Sequence, residues 1–156
     1  MELELAKIRG LCLEPRNGYY SNGETAVVHI SDKMNKSSAL ELHEIIAEKH
    51  LVIIYDEETP SPHCVAVLEP GRDLELISSN YMKANVIGHV DQPKYRVVTD
   101  VTGQHPIMLT SSPVARLYGW KAGTVVEAVT RTPTGGLVTK WYLISGPVFR
   151  KTRITR

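Results

Sequence analysis

The stretch from Ser112 to Ile144 leaves the chain few conformations to choose from. Ser112 is placed to cap a helix, and Pro113 suits the first helical position, where its missing N–H has no intrahelical partner to lose. Gly119 predicts an end to that helix after less than two turns, in the left-handed region of the backbone. Gly123 turns the chain into a strand over 124–130 that is rich in valine. Thr132-Pro133-Thr134-Gly135-Gly136 reads as a turn with conformational freedom at its two glycines, and Gly136 is expected to hold the geometry closed to other residues. Leu137 to Ile144 alternates only loosely, so its bulky residues, rather than its period, predict a second strand.

The N-terminal part carries a different grammar. Leu3 to Leu13 is apolar-rich and runs into a turn-like cluster from Pro15 to Gly23. Thr25 to Ile30 predicts a strand. Ser38-Ala39-Leu40-Glu41 matches a capping box and predicts a helix to about Lys49, with Leu40, Ile45 and Ile46 on its buried side. Leu51 to Tyr55 is a short continuous apolar run, the kind of strand covered on both faces. Two further β-rich runs are expected at Leu74 to Ser78 and Ala84 to Val90. The boundary is placed near Asn85 to Pro93. The expected class is therefore α+β: a small α/β domain over 1–88 and a mixed helix and β-hairpin domain over 89–156.

Composition narrows the function classes. With 156 residues, 42% hydrophobic and 22% charged, the chain has the balance of a folded globular protein. The Leu51–Tyr55 run is far too short to span a bilayer, so no membrane partner is expected. Met1-Glu2-Leu3-Glu4-Leu5 has acids where a signal peptide would have lysine or arginine. Cys12 and Cys64 have no close ligand-spaced neighbour, which favours reduced thiols and plain packing. The net charge of +1 hides an asymmetry. Arg150, Lys151, Arg153 and Arg156 form a basic tail, and the rest of the chain is mildly acidic. Such a body is not that of a free-standing, strongly basic nucleic-acid binder.

The order Pro113-Val114-Ala115-Arg116, Gly119, Lys121, Gly123, a valine-rich strand and Thr132-x-Thr134-Gly135-Gly136 resembles the C-terminal assembly domain of the fifth subunit of eukaryotic DNA-dependent RNA polymerases, a family with an archaeal counterpart. A fainter likeness lies upstream: Thr59-Pro60-Ser61-Pro62 follows a buried strand where the family has Thr-Pro-Ser-Ala, in a jaw domain beside the downstream duplex. Asn85-Val86-Ile87-Gly88-His89 is similar to the family's linker. The resemblance implies a non-catalytic subunit, without cofactor or metal of its own, docked on the largest subunit among the other polymerase subunits. It implies docking or turn-forming roles for Pro113, Arg116, Gly119, Lys121, Gly123, Thr134 and Gly136. It also implies a DNA-proximal loop at Thr59, Pro60, Ser61 and Pro62, whose hydroxyls would position phosphate without reading sequence. The location would be the nucleus for a cellular protein, or host cytoplasm, nucleus or virion for a viral one.

Departures are several. Ser112 replaces the family's Asp, Thr130 its Arg, and Trp141-Tyr142 its Tyr-Arg pair. Only Asp100 to His105 stands where the family fits a whole helix. Asp56, Glu57 and Glu58 crowd the loop with charge and have no basic partner near in sequence. The chain is also shorter than the cellular subunits, as a divergent virus-encoded copy would be. The tail from Gly146-Pro147 onward, with Phe149 as an apolar anchor, exceeds the family's usual end and is expected to meet acidic protein or nucleic acid.

Two other classes stand against this reading. A metal-dependent nuclease needs acids on a strand with Lys two places after one of them, and no acid here has it. His29, His43, His50, His63, His89 and His105 show no zinc spacing, although His43 and His50 would share a helical face. A stand-alone nucleic-acid or peptide module would interleave aromatics with Lys and Arg, whereas here they are scattered.

Overall fold

The computed structural model describes residues 1–56, 58–84, 87–89, 91–99 and 101–146. The basic tail at Arg150, Lys151, Arg153 and Arg156 lies outside the described residues, as do Pro147, Phe149, Glu57, Asn85 and Val86. The protein is α+β and divides into two compact units, Met1–Asn85 and Val86–Arg156.

In the first unit, α1 (Glu2–Arg9) leads to two-residue strands β1 (Glu14–Pro15) and β2 (Tyr20–Ser21). Then come β3 (Thr25–Ile30), α2 (Lys36–Ile45), β4 (His50–Tyr55), α3 (Pro62–Leu68), β5 (Asp73–Ser78) and the single turn α4 (Asn80–Lys83). The sheet order is β1-β2-β3-β4-β5, antiparallel up to β3 and parallel from β3 to β5. Successive crossovers that advance in one direction with one hand put their helices on one face, and α2 indeed packs against α3. Ala26, Val28, Leu51 and Ile53 meet Ala39, Ile46, Cys64 and Leu68 there. The alternate residues Val27, Val52 and Ile54 are equally buried, as are Leu5 and Ala6 of α1, which lies against β3. This two-sided cover is why β4 reads as an unbroken apolar run.

Some expectations need correction. The cap of α2 is Asn35, whose Oδ1 accepts from the Ser38 N–H at 2.9 Å. Both residues suit a cap, but once Asn35 takes that donor Ser38 becomes the third helical residue. The helix also stops at Ile45 instead of Lys49. Ile46 turns to an extended conformation and is buried, while the Arg72 guanidinium donates to the carbonyls of His43 (2.8 Å) and Ile46, satisfying the helix end. Leu40 and Ile45 are 44% and 54% exposed, so Ala39, Leu42 and Ile46 do the packing. Because the helix ends early, His50 begins β4 and shares no helical face with His43. No strand forms in the described part of 84–90; α4 and a turn occupy that connection. Cys64 packs in the core, with its Sγ 3.5 Å from the Met34 carbonyl, but Cys12 is exposed.

The second unit holds β6 (Lys94–Val98), β7 (Ile107–Leu109), α5 (Pro113–Tyr118), β8 (Val125–Arg131) and β9 (Leu137–Ser145). Its sheet order is β6-β8-β9-β7, with β7 parallel to β9 and the other pairs antiparallel. Val126, Ala128 and Ile144 share one face and are buried, as are Val114, Ala115 and Leu117 of α5. Tyr95 on that same face packs edge-on against Tyr118 and Trp120 at the end of α5. The helix therefore covers this face of the sheet.

Candidate functional site

The residues singled out in the second unit meet at the ends of α5 and at the hairpin turn. Ser112 Oγ accepts from the Ala115 N–H at 3.2 Å, with Pro113 as the first helical residue. Gly119 adopts φ 69°, and its N–H and that of Trp120 close the helix onto the carbonyls of Arg116 and Ala115. Gly123 has φ 92° and donates to the Ile144 carbonyl at 2.9 Å, which ties this turn to β9. Arg116 is half-buried in α5, while Lys121 and Thr134 are exposed in turns.

At the hairpin, Thr132 is the organiser. Its Oγ1 accepts from the Gly136 N–H at 2.9 Å and lies 3.1 Å from Thr134 Oγ1, while its N–H donates to the Gly136 carbonyl at 2.8 Å. The left-handed residue is Gly135, with φ 86°, and not Gly136. Gly136 is confined differently: its φ is not left-handed, and a Cβ there would stand 3.2 Å from Thr132 Oγ1, so that the hydroxyl would have to give by a few tenths of an ångström. Gly135→Val should therefore cost about 1–3 kcal/mol through backbone strain, and Gly136→Ala distinctly less. Urea melts of the two variants check the order, and an equal or reversed cost would contradict it.

Sheet pairing places Val98, Val125, Leu143 and Ile107 in one row across all four strands, on the face opposite α5. Trp141 and Leu137 continue it along β9. Ile107, Leu137 and Trp141 are 58%, 68% and 40% exposed, so this apolar face is open. Arg96 pairs with Glu127 within it. Sequence reading missed this face because β9 alternates only loosely.

An aromatic cluster was also invisible in the linear sequence. Tyr118 and Trp120 stack at 4.6 Å between centroids with planes 2° apart, and Tyr95 meets both edge-on. Burial, with Tyr142 and Tyr118 nearby, pushes the Tyr95 phenol up, and burial does the same for Tyr118.

In the first unit, Thr59 and Ser61 are exposed and Pro60 is buried. Ser61 caps α3: its Oγ accepts from the Cys64 N–H at 3.4 Å and lies 3.3 Å from Cys64 Sγ, with Pro62 as the first helical residue. Asp56 and Glu58 have no basic neighbour in sequence, but the fold brings them distant basic partners. Asp56 accepts from Ser79 at 2.5 Å and Lys83 at 3.0 Å, and its other oxygen stands 3.2 Å from His29 Nε2. The Ser79 and Lys83 hydrogen bonds hold its carboxyl far below the usual carboxylate range. Glu58 pairs with Lys33 at 2.8 Å. Parallel pairing explains the convergence: β3, β4 and β5 end side by side, so residues distant in sequence meet at one edge.

The opposite edge carries a relay. Glu75 Oε2 receives the Arg9 guanidinium at 2.6 Å, and its Oε1 lies 3.0 Å from His50 Nε2. A carboxylate only accepts, so Nε2 carries the proton, and in the neutral ring Nδ1 accepts from Thr25 Oγ1 at 3.3 Å. Burial opposes the Glu75 charge, but His50 and Arg9 outweigh it and hold the carboxyl down at about 2. The order hydroxyl, imidazole, carboxylate is that of an activated nucleophile. Here Thr25 is 8% exposed and the carboxylate is shared with Arg9, so the relay braces α1 and three strands.

Among the described residues, no group of three or more His, Cys, Asp or Glu side chains is arranged to hold a metal ion. No helix among them is long and apolar enough to cross a membrane. The sequence matches no family model, and no curated protein matches it.

Proposed function

We propose that this protein is a non-catalytic subunit of a multisubunit DNA-directed RNA polymerase. The second unit docks on the largest subunit, and the loop at Thr59–Pro62 lies near downstream duplex DNA. The observation that carries the reading is the open apolar sheet face opposite α5. An unpartnered face of this kind marks a protein contact, and it belongs to the same unit as the Pro113–Gly136 motif. The residues of that motif build α5, its caps, the turn after it and the hairpin. The pairing of Asp56 and Glu58 with Lys83 and Lys33 also reduces the charge that would hold phosphate away from the loop. Ser61 is engaged as a cap, which leaves Thr59 as the freer hydroxyl of that loop. Catalysis, with its metal, belongs to the partner subunits in this reading.

The aromatic cluster favours a second reading, a stand-alone nucleic-acid module. It is the weaker one. Tyr95, Tyr118 and Trp120 pack on one another and are half-buried, which leaves little ring surface for a base to stack on. The purified chain is therefore expected to bind duplex DNA weakly and with little salt dependence. Fluorescence anisotropy across a salt series tests this, and tight binding with a steep salt slope would favour the module instead.

A further inference from the structure

The open face in the second unit has a charge pattern as well as an apolar floor, and the two together describe what covers it. Strand register puts Lys94 beside Val129, Arg96 beside Glu127, and Arg131 beside Leu137, all on the face opposite α5. A groove runs along this end of the sheet, with Val129 and Leu137 as its floor and Lys94, Arg96 and Glu127 along its side. Glu127 is taken by Arg96. Lys94 and Arg131 have no carboxylate within ion-pair distance among the described residues.

We infer that this groove receives a protein segment that inserts an aliphatic or aromatic side chain between Val129 and Leu137 and flanks it with carboxylates facing Lys94 and Arg131. The inference rests on the polymerase reading for the identity of the partner, the largest subunit, and adds the surface and the chemistry of the segment. Two considerations select a protein of this kind. A large exposed leucine gains from an apolar side chain and nothing from a phosphate. A second copy of this chain would set three cations and one carboxylate against the same pattern, and like charges at an interface disfavour the pairing. An acidic, apolar segment satisfies both the floor and the rim.

The test places a photo-crosslinking residue at Thr139, exposed in the groove, and a control at Lys140, the next residue of β9 and on the other face. The full chain is incorporated into its polymerase and irradiated. Labelling from Thr139, and not from Lys140, is expected on one segment of the largest subunit that contains an apolar residue flanked by Asp or Glu. Leu137→Glu, at a surface position that leaves the core untouched, should lower the retained chain roughly tenfold at moderate salt. Its circular dichroism melt should match the parent. If the chain copurifies with the polymerase but Thr139 labels nucleic acid, another copy, or a segment without acids, the inference falls and the polymerase reading stands. The same holds if Thr139 labels nothing, or if Leu137→Glu is retained in full. If the chain joins no polymerase, both fall.

Discussion

Ile53→Ala is expected to destabilise the protein by about 2–5 kcal/mol, the usual range for truncating a fully buried isoleucine. Ile53 sits in β4, the middle of three parallel strands, with no exposed surface and with Val28 and Leu76 as its cross-strand neighbours. It points into the side packed by α2 and α3, where Ala39, Ile46 and Leu68 are also fully enclosed. A cavity there has walls of sheet on one side and two helices on the other, so it has little freedom to collapse. Leu40→Ala, on the exposed side of α2, makes the control and should change stability by less than about 0.5 kcal/mol. Urea unfolding of both variants checks the prediction. Equal small losses would mean that β4 is not the centre of the core.

The second large effect is a pH dependence set by Glu75. Its carboxyl titrates at about 2 in the folded protein, against about 4.3 for a free glutamate side chain. Because the folded value is the lower one, the stabilisation is fully present above pH 4.3 and is lost as pH falls through 2. The difference corresponds to about 3 kcal/mol. Glu75→Gln should therefore flatten the acid side of the stability profile. It should also cost about 1.5–3 kcal/mol at neutral pH, where it loses a charged partner for Arg9 and His50. Urea melts at pH 7, 4.5 and 3 separate the two effects. Parallel profiles for parent and variant would contradict the relay.

How much of this was legible in the sequence depended on whether the cause was local. The cap at Ser112, the left-handed Gly119, the strand in Leu51–Tyr55 and the hairpin at 132–136 are decided within a few residues, and all could be read. The choice between Asn35 and Ser38 as the cap of α2 could not, because both suit the role and only the geometry decides. The same applies to Gly135 and Gly136, where one adopts positive φ and the other approaches Thr132. The clusters were illegible for a different reason. His29, Asp56 and Ser79 meet because three strands end in register, and Thr25, His50 and Glu75 meet because the same strands begin so. Arg72 ends α2 from 26 residues away. Tyr95 finds Tyr118 and Trp120 only after β6 pairs with β8 and α5 covers the sheet. The open apolar face emerged the same way, from the pairing of β9 with β8 and β7.

The polymerase assignment is tested by the stoichiometry of what copurifies with the tagged chain at moderate salt. The expected result is one copy of this chain with the large catalytic subunits of a DNA-directed RNA polymerase, retained through the wash. A chain that elutes without those subunits, or that is held only by duplex DNA and released as salt rises, would contradict it.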